Sequence, residues 1–367
     1  MDLTLVTAFY DLNKLEKRPV EKTKNNYLMW GEFIFKMDIN IVFFVEAENY
    51  EYVWRKRAEK KLLHKTLIIK KEYSELRFYD MREELEIYKK EHPLMNSLLN
   101  KDSANYIVLT WNKIFFVEDV MKLNPFNTNY FGWIDFGLYN IVMRDTMPSN
   151  IYETLTPTTK KIKMLELHHV FDKETVNIYN YCAYFRWKYA GGLWTGHTST
   201  LPTLFSHFKK QLFEILSLRI FAHEETIFAL TYSKNKDLFE LYYGSYPQIL
   251  INYNKIRSPV DMIFENIKEC RYNGEFKHAF DIAEKVYNEC YDNLNVVKKF
   301  ITYDELIVNG SHIDQSKAED YAKKFIDDVE KDIDLKMEFM KDANRNISNL
   351  KSFKNEYIDK KLELISN

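Results

Sequence analysis

An α/β fold built on a mixed, mostly parallel sheet is predicted for the first two thirds of this 367-residue chain, with an α-helical region behind it. Three observations predict it. Apolar runs of strand length alternate with segments whose apolar residues recur at helical spacing. One of them, "NIVFFVEA", is continuously apolar, as in a strand covered on both faces. From Ser258 onward no strand-type run remains, so residues 1–257 and 258–367 are expected to form separate domains.

The elements follow in order. "LTLVTAFYDL" reads as a first strand entering a loop at Asp11-Leu12-Asn13. "YLMWGEFIFKM" is a short helix, "NIVFFVEA" a buried strand, "YEYVWRKRAEKK" a helix and "KTLIIKK" a third strand. Residues 73 to 100 form a charged helical excursion. "NYIVLTWNKIFFVEDVMKL" is a helix packed on the sheet, and "FGWIDFG" is the next strand. "KMLELHHV" supplies a strand, and "YAGGLWTGHTST" is expected to be a glycine-rich turn before a long amphipathic helix. "HEETIFAL" opens another helix, followed by an aromatic strand around "FELYYG". Beyond Ser258, "DMIFENIKECRYNGEFKHAFDIAEKVYNEC" is a helical hairpin turning at Asn273-Gly274 and resembling one tetratricopeptide unit. One charged helix is expected around residues 316–343.

Composition excludes several classes of function. With 46% apolar residues the chain can build a large core, and a net charge of −2 without a basic stripe argues against nucleic-acid binding. Cys182, Cys270 and Cys290 have no metal-type spacing and read as free thiols of a reducing compartment. No apolar run reaches membrane-spanning length, and "MDLTLVTAFYDLNK" lacks the pattern of a signal peptide. A soluble, cytoplasmic protein is therefore expected. The lysine-over-arginine skew and the abundance of Asn, Ile and Tyr fit an AT-rich genome, a viral one included.

One carboxylate stands out. Asp135 lies inside "TNYFGWIDFGLYNI", where an unpaired buried charge costs several kcal/mol or shifts its pKa. It ends an apolar strand, and parallel sheets gather their functional groups beyond such ends. A carboxylate there can hold Mg²⁺ or Mn²⁺ that neutralises a diphosphate. It can equally cap a turn. Glu224 and Glu225 stand together in "RIFAHEETIFAL". At a helix N-terminus the dipole stabilises both, and either could act as a general base or hold a sugar hydroxyl. "HEET" lacks the second histidine of a zinc site, and the side chains of His168-His169 diverge on any regular element. Gly191, Gly192 and Gly196 are three of only nine glycines in the chain. They imply a loop in close approach to a ligand, with Trp194 and His197 lining the pocket. The loop fits neither phosphate-binding glycine motif. Arg55, Arg57 and Lys113 are the cations placed to meet a diphosphate.

Taken together, "TLVTAFYDL", "IVFFVEA" with Arg55 and Arg57, "NYIVLTWNKIFFVEDV", "WIDFG", "YAGGLWTG" and "HEETIFAL…YYGSYPQILINY" resemble the HtrL/YibB-type family of glycosyltransferase-like proteins. The resemblance covers roughly residues 2 to 255. It implies the GT-A nucleotide-diphospho-sugar transferase fold, and a transferase moving a sugar from a nucleotide-sugar, preferably a UDP-sugar, to an acceptor hydroxyl on a glycan or other molecule. By the same resemblance Thr7, Ala8, Tyr10 and Asp11 hold the nucleotide and Lys113 faces the diphosphate. Asp135 replaces the metal-binding acidic motif, with Gly137 where a second aspartate would stand. Gly191 and Gly192 shape the sugar wall, and Glu224 or Glu225 is the catalytic or sugar-binding acid.

Two other readings compete. The missing second aspartate favours a catalytically inactive scaffold of the same fold, whose helical region contacts a partner or a second copy of the chain. A nucleotidyltransferase would need a glycine-rich loop after the first strand, and "TAFYDLNKLEKR" has no glycine.

Overall fold

The computed structural model describes residues 2–19, 22–95, 102–142, 147–168, 170, 174–255, 259–272, 274–341 and 343–366. The chain divides into two compact units, Met1–Arg257 and Ser258–Asn367.

In the first unit the elements run β1 (Leu3–Phe9), α1 (Lys24–Lys36), β2 (Asn40–Val45), α2 (Tyr50–Glu59), β3 (Thr66–Lys70), α3 (Arg82–Glu91), α4 (Ala104–Leu123) and β4 (Tyr130–Ile134). They continue with α5 (Tyr139–Val142), α6 (Ile151–Thr154), β5 (Ile162–Glu166), α7 (Ile178–Cys182), β6 (Tyr189–His197), α8 (Leu201–Ser217), α9 (Glu224–Lys234) and β7 (Phe239–Tyr243). The seven strands form one sheet in the order β3-β2-β1-β4-β6-β5-β7. Only β6 is antiparallel to its neighbours, β4 and β5. The sheet is therefore mixed and mostly parallel, as the run-and-helix alternation predicts.

Successive residues of a strand face opposite sides, and β1 shows why its sequence is mostly apolar. Leu3, Leu5 and Phe9 pack with Ile34 and Phe35 of α1 and Val53 of α2. Val6 and Tyr10 pack on the other side with Trp111 and Phe116 of α4. Each fully buried Leu, Val or Phe there contributes about 1.5–3 kcal/mol. The helix α4 has little amphipathic contrast because it is covered on most sides: Ile107, Trp111, Phe115 and Val117 are all buried. The Ser103 hydroxyl accepts from Tyr106 N at its start, and Asn124 ends it in the left-handed conformation at φ 39°.

Two sequence expectations are corrected here. "YAGGLWTGHTST" is not a turn. Residues Tyr189–His197 are a strand buried along nearly all its length, and none of its three glycines has positive φ. The helix around residues 316–343 is broken at Asp332, whose extended backbone and side chain cap the next helix through Asp334 N and Leu335 N.

The second unit is helical throughout its described residues: α10 (Pro259–Tyr272), α11 (Phe276–Cys290), α12 (Val296–Ser311), α13 (Gln315–Lys331), α14 (Ile333–Met340), α15 (Ala343–Lys351) and α16 (Glu356–Ser366). The expected hairpin is α10 and α11, turning at Gly274 with φ +76°; Asn273 lies outside the described residues. It continues as a stack in which α12 packs on α11 and α13 on α12. Buried residues include Phe280, Tyr303, Leu306, Phe325 and Phe339. Cys182, Cys270 and Cys290 are free thiols. Among the described residues no helix is long and apolar enough to cross a membrane.

Candidate functional site

Strand order reverses at β1: β2 and β3 lie to one side and β4 to the other. Because β1 and β4 are parallel, their C-terminal ends open together, and at such a switch point loops diverge and leave a crevice. A cavity of about 280 Å³ lies there. Ala8, Tyr10 and Asp11 bring the end of β1 to it, and Asp135 follows the end of β4. Tyr106, Thr110 and Lys113 come from one face of α4, and Glu225 from the first turn of α9. Tyr27, Trp30, Trp133 and Tyr246 add aromatic wall, and Arg18 and Lys22 come from the segment between β1 and α1.

Asp135 has partners on both sides. Its Oδ1 accepts from Trp133 Nε1 at 2.6 Å and from Lys113 Nζ at 3.0 Å, and its side chain keeps 29% of its surface exposed. Lys113 also donates to Glu224 Oε1 at 2.7 Å and to the Gly191 carbonyl at 3.3 Å. Burial alone would lower the Lys113 pKa, but the charges of Asp135 and Glu224 outweigh it and raise it. Burial would likewise raise the Glu224 carboxyl. The Lys113 ammonium and a hydrogen bond from Glu225 instead hold it below the usual range. Glu225 goes the other way: burial, then the negative charge of Glu224, push it well up. The direct contact of Lys113 with Glu224 decides which carboxyl keeps the proton, and it is Glu225. Behind the pair, His223 Nε2 lies 2.7 Å from Asp102 Oδ1, both residues being buried.

The glycines of β6 make room for these acids. A Cβ on Gly191 would lie 2.8 Å from Glu224 Oε1 and 3.3 Å from Glu225 Oε1. One on Gly192 would lie 2.9 Å from the Tyr246 hydroxyl and 3.4 Å from Asp135 Oδ2. Close approach is thus their role, but to protein carboxylates and a tyrosine.

Other expectations are corrected by position. His197 ends an antiparallel strand, so it pairs with Tyr130 at the start of β4, at the sheet edge opposite Asp135. Trp194 is fully buried in the core against Phe228. Arg57 is fully buried and donates to the carbonyls of Phe35, Met37 and Ile39, before the start of β2. It closes the N-terminal edge of the parallel strands, far from their C-terminal crevice. Arg55 is exposed on α2 beside the Tyr52 ring. Thr7 is buried on the α1 side of the sheet, outside the cavity lining. Glu224 touches the cavity only through Lys113 and Glu225. His169 lies outside the described residues.

A family model matches residues 1–253. The chain belongs to the HtrL_YibB family. That family is described as a bacterial protein of unknown function. No curated protein matches the chain. The family region ends just short of the second unit, so the cavity and every residue that lines it fall inside the HtrL_YibB match.

A divalent cation at Asp135 does not fit these residues. The nearer carboxylate oxygen is already shared by an ammonium and an indole N–H, and Gly137 offers no second carboxylate. The ligating atoms of His223, Glu224 and Glu225 lie within 4.8 Å of one another, but Glu224 is ion-paired with Lys113.

Several lining residues escape a reading based on acids and glycines. Tyr106 and Thr110 stand seven and three positions before the expected Lys113, on the same face of the helix. Trp133 stands two residues before Asp135, hence on the same face of the chain. Arg18 and Lys22 lie in a segment without periodicity, and nothing local marks them.

Proposed function

We propose that this chain is a glycosyltransferase that moves a sugar from a nucleoside-diphospho-sugar, with a UDP-sugar favoured, to an acceptor hydroxyl. The observation that carries the reading is the switch-point cavity between β1 and β4, into which Asp135, Lys113 and Glu225 converge. Aromatic walls suit a base or a sugar face, and the Tyr10 hydroxyl at the end of β1 has no hydrogen-bond partner among the described residues. Glu225 lines the cavity, and with its proton turned to Glu224 its other oxygen is free to accept from a sugar hydroxyl. Asp135, half-buried in the cavity wall, is a carboxylate able to receive the acceptor's proton. In an inverting displacement the acceptor oxygen bonds to the anomeric carbon. The bond from that carbon to the diphosphate breaks, and its electron pair leaves with the diphosphate.

Thermal unfolding against UDP, GDP, CMP and their common sugars tests the reading, because a ligand that binds the folded state raises the melting temperature. The expected result is a rise with one nucleotide and its sugar, kept in Asp135→Ala, whose sugar transfer should instead be lost. A folded protein whose melting point moves with none of them would overturn the proposal.

A further inference from the structure

The cavity is lined by Tyr10 at the end of β1, Tyr27 of α1, Tyr106 of α4 and Tyr246 from the segment after β7. Among the described residues no protein group hydrogen-bonds to their hydroxyls, and that of Tyr10 is buried. A hydroxyl left unpaired away from water costs free energy that a ligand can recover. Burial pushes the Tyr106 and Tyr246 hydroxyls well above their usual pKa, and the charges of Asp135, Lys113 and Glu225 reach both. They therefore stand beside that cluster as neutral groups, able to donate and to accept.

Gly192 brings one of them to the acids. A Cβ there would lie 2.9 Å from the Tyr246 hydroxyl and 3.4 Å from Asp135 Oδ2, so the two oxygens flank one point beside β6. The cations of the cavity are engaged. Lys113 lies between Asp135 at 3.0 Å and Glu224 at 2.7 Å, Arg18 is 2.9 Å from Glu16, and Lys22 is 5.2 Å from the Trp30 ring. What faces a ligand is a set of phenol hydroxyls, aromatic rings and carboxylate oxygens.

Resting on the glycosyltransferase reading, we infer that the transferred sugar is an uncharged one, held by the Tyr106 and Tyr246 hydroxyls and the outer oxygen of Glu225, and that Asp135 rejects sugars carrying a carboxylate. Hydroxyls of a neutral sugar donate and accept, so each can pair with a phenol and a carboxylate at once. The apolar faces of such a sugar pack on aromatic rings. A uronic acid would bring its own carboxylate against Asp135, and like charges at close range repel.

Calorimetric titration of the full chain with UDP, UDP-glucose, UDP-galactose and the two matching uronates tests this. Each uronate differs from its parent only in a carboxylate where the parent has a hydroxymethyl group. At least one neutral sugar nucleotide should bind more tightly than UDP, and its uronate roughly tenfold more weakly than the parent sugar. Asp135→Asn should narrow that gap. Tyr246→Phe and Tyr106→Phe should each weaken the neutral sugar nucleotide roughly fivefold relative to UDP, the loss of one neutral hydrogen bond. The sugars are compared on the parent chain, so that comparison stands even where a variant does not fold. A uronate bound as tightly as its parent, or a neutral sugar that adds nothing to UDP, would overturn this inference and leave the glycosyltransferase reading standing. Absence of binding by all five ligands would overturn this inference and the UDP-sugar reading together.

Discussion

Lys113 Nζ stands 2.7 Å from Glu224 Oε1, joining the middle of α4 to the first residue of α9 across 111 positions of sequence. Both side chains are almost wholly buried, at 8% and 1% exposure. A buried ion pair adds little net stability over an apolar pair, but removing one partner leaves an uncompensated charge.

Lys113→Met should therefore destabilise the first unit by about 3–5 kcal/mol at neutral pH. Without the ammonium, burial raises the Glu224 pKa above its unfolded value. The variant should then recover stability as pH falls, since a group with a raised folded pKa stabilises below its unfolded pKa. Urea unfolding at neutral and acidic pH measures both effects. A variant within about 1 kcal/mol of the parent at neutral pH would mean that the pair does not organise this site.

Glu225→Gln should leave stability unchanged in acid and flatten its dependence on pH. The raised carboxyl of Glu225 contributes stability that is complete below its ordinary value of 4.5 and is lost as pH rises through its folded value. Glu224, held low, loses its contribution only as pH falls below the ordinary range, and Lys113 only above 10.5. Between those limits Glu225 sets the trend in this cluster, at up to about 1.4 kcal/mol per pH unit. Glutamine keeps a donor toward Glu224 and has no proton to lose. Chemical denaturation across that window, parent against variant, should show the two curves separating upward in pH; parallel curves would refute the protonated assignment.

Much of this arrangement was legible in the sequence because it follows local rules. The strand runs, α4 as a helix packed on the sheet and the position of Asp135 at a strand end are all short-range patterns. Gly191 was readable as a close approach, but not what approaches it, because Glu224 lies 33 residues further on. His197 was misplaced because nothing in "YAGGLWTGH" tells an antiparallel strand from a turn; the partner strand decides its direction. Arg57 reads as a ligand-binding cation because it lies on a helix that follows a buried strand, where a diphosphate could bind. Its partners are backbone carbonyls at the end of α1, which no side-chain pattern announces.

Gly191→Ala should destabilise by about 1–3 kcal/mol, the range for overpacking. Its new methyl would meet Glu224 Oε1 at 2.8 Å, and that oxygen is pinned by Lys113 and cannot swing aside freely. If the proposed donor site is real, nucleotide affinity should fall as well, because the same carboxylates support Asp135 through Lys113. Thermal unfolding with and without UDP separates the two losses. A variant as stable as the parent would show that the β6–α9 approach is looser than these distances imply.

Arg57 and Arg55, two residues apart on α2, should behave in opposite ways. Arg57→Met removes donors to the carbonyls of Phe35, Met37 and Ile39 and to the Thr66 hydroxyl, leaving buried acceptors without partners. The expected loss is at least about 3 kcal/mol, from several hydrogen bonds to a charged group at once. Arg55→Ala, at an exposed position, should stay within about 0.5 kcal/mol. Neither should change the affinity of the folded protein for UDP, because Arg57 braces the N-terminal edge of the parallel strands and the cavity opens at their C-terminal ends. Urea unfolding and UDP titration of both variants check this. A drop in UDP affinity in a well-folded Arg55→Ala would return that arginine to the binding site and undo its placement outside the crevice.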